Sequence, residues 1–210
     1  MKIDSLLASK SVIHKATRII RSGGIVLYPS DTVYGLGCDP LNSKALLRLF
    51  EIKGRPQKKA VLLLIENSSW VYQFSQNVPK LFHKLANIFW PGPVTFLLEG
   101  KDELHPLLLG EKGQIGLRCP LSLFLQLWMR TIPGPIVSTS ANQSGCPPPK
   151  SLDELKTLFF DSVDLFLEEG QDLPQKQSST VVDLTEHPPK IVRYGGMAQE
   201  VEESLKGITP

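Results

Sequence analysis

The sequence predicts a single α/β domain with a mixed sheet. Three observations carry that expectation. Helical and strand-like segments are interspersed, with at least six strands. No internal repeat or long linker interrupts them. The chain has 210 residues with 41% hydrophobic content, a length and composition that supply one well-buried core.

Each element follows from local pattern. Residues 12–22 (VIHKATRIIRS) have helical periodicity and stop at Gly23-Gly24. Ile25–Tyr28 is a short apolar strand ended by Pro29. Asn42 is placed to cap a helix running through Lys53, with Ala45, Leu46, Leu49, Phe50 and Lys53 on one face and Gly54 at the stop. The apolar run 60–65 (AVLLLI) predicts a strand covered on both faces. Residues 78–89 read as helix, and Pro91-Gly92-Pro93 breaks the chain before the strand VTFLLE. Further strands are expected at 114–118, 135–139, 180–184 and 190–194, and helices at 121–131, 151–160 and 197–206. The polar stretch 170–179 reads as a loop within the domain.

Charge and cysteine usage exclude several classes. The N-terminal stretch has no long apolar run and carries Asp4, unlike a signal or transit peptide. No segment approaches the ~20 apolar residues of a membrane span, so a soluble, cytoplasmic protein without a membrane partner is expected. Cys38, Cys119 and Cys146 are scattered and odd in number, as are the four histidines; no metal site is expected from such spacing. Residues 1–100 carry 13 Lys and Arg against 6 Asp and Glu, whereas residues 101–210 carry 10 against 15. The densest cationic cluster is Lys53, Arg55, Lys58 and Lys59. It suits a polyanion such as a triphosphate or nucleic acid, although composition alone favours a solvated basic loop.

The chain lacks a GxxxxGK[ST] phosphate loop, a GxGxxG turn, HExxH and GxSxG. What remains are polar clusters at strand ends. Residues 29–37 (PSDTVYGLG) follow the first strand and serve either as a turn or as a small-molecule site. Arg55 lies between Gly54 and Pro56, where its planar fork is held ready for a carboxylate or phosphate. Residues 138–145 (STSANQSG) crowd hydroxyl and amide groups after a strand, either as an N-cap cluster or as uncharged phosphate donors. Arg118 and Arg193 are single cations within strand patterns, a position that ordinarily faces solvent.

Seven blocks together resemble the YrdC-type threonylcarbamoyl-AMP synthase family: YPSDTVYGLGCDP (28–40), IKGRP (52–56), WPGPVTF (90–96), IGLRCP (115–120), PIVSTSANQSG (135–145), SSTVVDL (178–184) and IVRYG (191–195). They run in the family's order over about residues 12–195, and the KxR and SxN signatures are both present. The resemblance implies a twisted α/β fold, with a mixed sheet surrounding a deep, positively charged cavity. It implies one YrdC-like domain over residues 1–210, the short form without an additional C-terminal domain.

The implied activity is synthesis of threonylcarbamoyl-adenylate from L-threonine, bicarbonate and ATP, with release of pyrophosphate. The product would serve threonylcarbamoyl modification of adenosine in tRNA. Thr32 and Ser179 are then expected at the threonine, and Arg55 between its carboxylate and the α-phosphate. Lys53, Lys59, Ser138, Ser140, Asn142 and Arg193 are expected around the nucleotide. Lys53 and Arg55 would act catalytically, and Arg118 joins the set with an open role. Magnesium is expected through the ATP phosphates rather than through protein ligands. Implied partners are a downstream tRNA threonylcarbamoyltransferase complex and, weakly, tRNA. Two departures stand out. Many relatives have a proline-leucine pair after the KxRP block, and a histidine where this chain has Leu64. Two other readings stay open: a double-stranded RNA-binding or ribosome-maturation module, and a relative that carbamoylates a different substrate.

Overall fold

The computed structural model describes residues 6–54, 61–169 and 177–208. Helix α1 (Leu6–Arg21) places Val12, Ile13, Ala16, Thr17 and Ile20 on a buried face at helical spacing. It begins six residues before the periodic stretch, and it stops where Gly23 adopts φ 81°. Strands β1 (Val26–Tyr28) and β2 (Gly35–Cys38) form an antiparallel pair. Helix α2 (Ser43–Lys53) matches expectation at both ends. The Asn42 side chain accepts from Ala45 N at 3.0 Å, and Gly54 closes the helix with φ 54°.

Strand β3 (Leu62–Leu64) leads through a 3-10 turn (Ser68–Trp70) to α3 (Val71–Phe74) and α4 (Lys80–Phe89). Strands β4 (Val94–Glu99) and β5 (Gln114–Arg118) follow, then α5 (Leu123–Met129) and β6 (Ile136–Ser140). The remainder comprises α6 (Leu152–Phe159), β7 (Leu165–Phe166), β8 (Thr180–Asp183), β9 (Lys190–Arg193) and α7 (Ala198–Ile208). Sequence reading misses three of these elements. β2 contains two glycines and follows turn residues, so its pairing is set by neighbouring strands rather than by propensity. β7 and α3 are too short, at two and four residues, to show a period.

The described strands form one mixed sheet in the order β7-β1-β2-β6-β3-β5-β4-β8-β9. Pairs β1/β7, β3/β5 and β4/β8 are parallel, and the others antiparallel. Side chains alternate across this sheet. One row, including Leu27, Leu36, Leu63, Phe96, Leu117, Val137 and Val182, packs beneath α2, α3, α4 and α6. The opposite row is covered only in part. Val26, Tyr28, Leu64 and Ile136 pack against α1 and α5. The rest of that row is largely small or polar, with Leu62, Leu97 and Val181 among it, and it floors a cavity. Every position of the α2 hydrophobic face named from sequence is buried.

Asn42→Ala removes the α2 cap and is expected to lower stability by ~0.5–2 kcal/mol. Asn42→Asp, which keeps the accepting oxygen, should retain most of it. Urea midpoints of the two variants check this, and equal losses would show that the cap contributes nothing.

Candidate functional site

The cavity is lined by side chains from six strands and by the loops that join them. Its floor alternates inward from β5 (Gly116, Arg118), β6 (Ser138, Ser140), β3 (Leu62, Leu64), β4 (Thr95, Leu97) and β8 (Val181). The walls are the 30–35 loop on one side, with Ser178, Ser179 and Arg193 on the other. Its inner space is about 160 Å³, roughly that of five waters.

Arg118 is a deeply buried cation, only 3% exposed at the end of β5. Its Nη2 is ion-paired to Asp31, and its Nη1 donates to Thr32 Oγ1 at 3.0 Å. Its Nε has no partner among the described residues. Burial pulls the guanidinium below its ordinary pKa, and Asp31 opposes that shift. Asp31 also accepts from Leu121 N at 3.0 Å through its second oxygen. Ser30 Oγ in turn takes Thr32 N at 3.1 Å and donates to Val33 O at 2.7 Å. Thr32, 5% exposed, is thereby fixed in direction above the floor. The expectation that Arg118 faces solvent, as single strand arginines ordinarily do, is corrected: the alternation of β5 turns it inward.

Ser138 is oriented from below. Tyr28 is fully buried, and its hydroxyl donates to Ser138 Oγ at 2.7 Å. Burial raises the phenol well above its ordinary pKa, so it remains protonated. Since Ser138 Oγ accepts that bond, its own proton is available to a further acceptor. The Tyr28 ring lies across β2, where a Cβ on Gly35 would come within 2.9 Å of it and one on Gly37 within 2.8 Å. This explains why two glycines, spaced to face the same side of the strand, occur there.

Lys53 ends α2 and is 3% exposed. Its ammonium donates to the Ser140 carbonyl, to Asn142 O at 2.5 Å and to Asn142 Oδ1 at 3.1 Å. Ser140 Oγ donates to the same Asn142 Oδ1 at 2.5 Å, and Asn142 Nδ2 reaches Cys146 O at 2.6 Å. Gln143 Nε2 and Ser144 N return to Ile52 O and Lys53 O. The crowd of polar groups after β6 is therefore largely satisfied within its own loop and by the end of α2. Lys53 stands behind that loop and braces it.

On the far wall, Ser179 is 2% exposed and shares a 2.9 Å bond with Thr95 Oγ1. Arg193 Nη2 donates to Ser179 Oγ at 2.7 Å, and its Nε to Ser179 O at 2.9 Å. Gly195 makes this possible, since a Cβ there would lie 2.2 Å from Ser178 O. Among the sequence-predicted residues, Thr32, Arg118, Ser138, Ser140, Ser179 and Arg193 line one cavity. Lys53 and Asn142 hold its rim. Arg55 and Lys59 lie outside the described residues. Tyr28 and Thr95 escaped sequence reading, and Asp31 entered it only as part of the 29–37 stretch. The Gly35-x-Gly37 spacing signals Tyr28, and an isolated threonine in an apolar strand signals Thr95.

A family model described as telomere recombination (Sua5, YciO, YrdC) matches residues 18–195. The chain belongs to the Sua5/YciO/YrdC family. It is 32% identical over 195 residues to a threonylcarbamoyl-AMP synthase of Pyrococcus abyssi, covering 93% of this chain and 57% of the relative. It is 35% identical over 159 residues to the synthase of Coxiella burnetii, covering 74% and 84%. In structure it is similar to P. abyssi Sua5 complexed with L-threonine, with a TM-score of 0.85 at 32% identity. That match covers 93% of this chain and 57% of the other. Escherichia coli YciO superposes with a TM-score of 0.80 at 31% identity, covering 89% and 90%. The chain thus spans somewhat over half the length of the Pyrococcus relative and most of the other two. These matches show the family and the single α/β architecture with a mixed sheet.

Arg118→Met is expected to destabilise the protein by up to ~3–5 kcal/mol, because Asp31, with a side chain only 12% exposed, is left without its counter-charge. Adding Asp31→Asn should recover part of that loss. Urea unfolding of both variants tests the point; an uncorrected double variant would show that the pair does not couple.

Proposed function

We propose that this protein condenses L-threonine, bicarbonate and ATP to threonylcarbamoyl-adenylate, releasing pyrophosphate. The observation that carries the reading is one cavity lined by hydroxyls and two arginines (Thr32, Ser138, Ser140, Ser179, Arg118 and Arg193). At its rim the neutral Ser140–Asn142 loop is backed by the Lys53 ammonium. Matches to relatives named threonylcarbamoyl-AMP synthase support the same reaction.

In this reading threonine occupies the inner space. Thr32 and Ser179 contact it, and Arg55 bridges its carboxylate and the α-phosphate. Bicarbonate gives up water to form carbon dioxide, and the threonine amine adds to its carbon with loss of a proton, giving a carbamate. A carbamate oxygen attacks the α-phosphorus, the bond to the β-phosphate bridging oxygen breaks, and pyrophosphate leaves. No protein nucleophile takes part. Alignment and fixed positive charge lower the barrier, and alignment alone is worth up to ~7–11 kcal/mol.

ATP lies along the Ser138, Ser140 and Asn142 side, with Lys59 and Arg193 at the phosphates. Lys53 acts through the loop it braces, bringing a buried charge close behind the phosphates. Magnesium, where it accompanies ATP, is held by phosphate oxygens and water; it neutralises charge on the triphosphate. Asp31, the carboxylate beside the cavity, is already committed to Arg118 and Leu121. The product passes to a tRNA threonylcarbamoyltransferase complex in the cytoplasm, and any contact with tRNA itself is weak. Among the described residues no helix is long and apolar enough to cross a membrane.

Pyrophosphate release that requires threonine and bicarbonate together is the decisive assay. Release without either would overturn the reaction. Arg55→Ala is expected to abolish it, since a charge-assisted bidentate contact contributes at least ~1.5–3 kcal/mol to binding alone. Wild-type turnover in a folded Arg55→Ala protein would remove Arg55 from the site.

Leu64 is 1% exposed and lines the cavity, so the threonine methyl meets an apolar wall there. Apolar packing discriminates by only ~1–3 kcal/mol per methylene. Threonine should therefore be preferred over serine by about one to two orders of magnitude in kcat/KM. Rejection of 2-aminobutyrate by ~10⁴-fold or more would instead reveal a dedicated hydroxyl partner.

A further inference from the structure

A second cleft, of about 380 Å³, lies outside the substrate cavity and is lined by Glu66, Asn67, Asn87, Trp90, Gln126 and Arg130 among others. Its position has a topological cause. β3 and β5 are adjacent and parallel, yet the chain leaves their carboxyl ends toward opposite faces of the sheet. After β3 it enters α3 and α4, which pack on the core row containing Leu63 and Leu117. After β5 it enters α5, which packs with α1 on the other face. Such divergence opens a crevice beyond the strand ends, the place where open α/β sheets bind ligands. Cleft residues come from both diverging branches: Glu66, Asn67, Asn87 and Trp90 from one, Gln126 and Arg130 from the other.

The groups there are unspent. Among the described residues the exposed Asn87 amide has no protein partner, and exposed Asn67 Nδ2 and half-buried Gln126 Oε1 make no hydrogen bond, although the other side-chain polar atoms of Asn67 and Gln126 do. Glu66 and Arg130 are only loosely paired, at 3.8 Å with the arginine side chain 64% exposed. The Trp90 indole is held in place, with Nε1 donating to Val94 O at 2.7 Å and its ring against Phe82 and Phe96. Three carboxamides beside a fixed indole form a surface for a flat, uncharged ligand with alternating donors and acceptors. The Asn87 carboxamide, with both atoms free, matches the N6 and N7 edge of adenine; Asn67 Nδ2 and Gln126 Oε1 add one donor and one acceptor, and indole stacks on bases. Arg130, at the open side, is suited to a phosphate.

We propose that this cleft is a second nucleotide site, which binds an adenine base from either a free mononucleotide or an unpaired position of RNA. It is separate from the cavity that performs the reaction, and it does not depend on the proposed activity.

The test uses the whole ¹⁵N-labelled protein. Side-chain amide signals of Asn67, Asn87 and Gln126 and the Trp90 indole N–H are followed during titration. The probes are AMP, ribose 5-phosphate, and an RNA stem-loop with one unpaired adenosine. Saturable shifts with AMP or the RNA, absent with ribose 5-phosphate, are expected. The probe that saturates at lower concentration identifies the source. Asn87→Ala combined with Gln126→Ala should weaken the response of Trp90 by about tenfold or more, with pyrophosphate release unchanged. The proposal is overturned by silence of these signals with both AMP and RNA. Equal shifts with ribose 5-phosphate, or undiminished affinity in the double variant, overturn it as well.

Discussion

A guanidinium enclosed within a sheet must be compensated, and around Arg118 that requirement organises much of the cavity. Removing such a charge from water costs several kcal/mol unless partners are supplied in good geometry. Asp31 supplies the charge and Thr32 a hydroxyl. Both belong to the loop between β1 and β2, so the cation at the end of β5 fixes a wall built from a distant part of the chain. The second Asp31 oxygen receives Leu121 N, which sets where the chain departs toward α5. One buried charge thereby aligns a strand end, a cavity-side loop and a helix entry.

The second device is a contrast between the two faces of the sheet. Alternation sends one row of large apolar residues under four helices, and those residues need no polar partner. The other row contains glycines, hydroxyls and two arginines, which would be costly to bury under another helical layer. Leaving that row open gives each polar group a neighbour of its own kind. Tyr28 orients Ser138, Thr95 pairs with Ser179, and Arg193 grips Ser179 at two atoms. The polar row is thus set before a ligand arrives, which reduces the ordering cost of binding.

Long periodic elements were legible in the sequence because their signals are local. The Asn42 cap, the α2 face and the Gly54 stop are all written within a dozen residues. β2 was not legible: its two glycines are explained by Tyr28 from the neighbouring strand, a contact no window along the chain reveals. The same limit applies to the site. Residue types at strand ends pointed to segments that meet in the cavity, and resemblance grouped them. The direction of Arg118, however, follows from strand parity, and the bracing role of Lys53 follows from where its ammonium reaches. Neither a motif nor a composition encodes such vectors.

The order of the strands bears on how the molecule comes to exist. Only β1/β2, β4/β5 and β8/β9 join sequential neighbours; the central pairings of β6 with β2 and with β3 close long stretches of chain. Loops of that kind raise the entropic barrier and slow folding. The cavity draws on residue 30 at one extreme and residue 193 at the other. During synthesis, therefore, the helix-covered row can begin to collapse while the polar row still lacks its far wall. The cavity is complete only once the last hairpin pairs with β4 and Arg193 reaches Ser179.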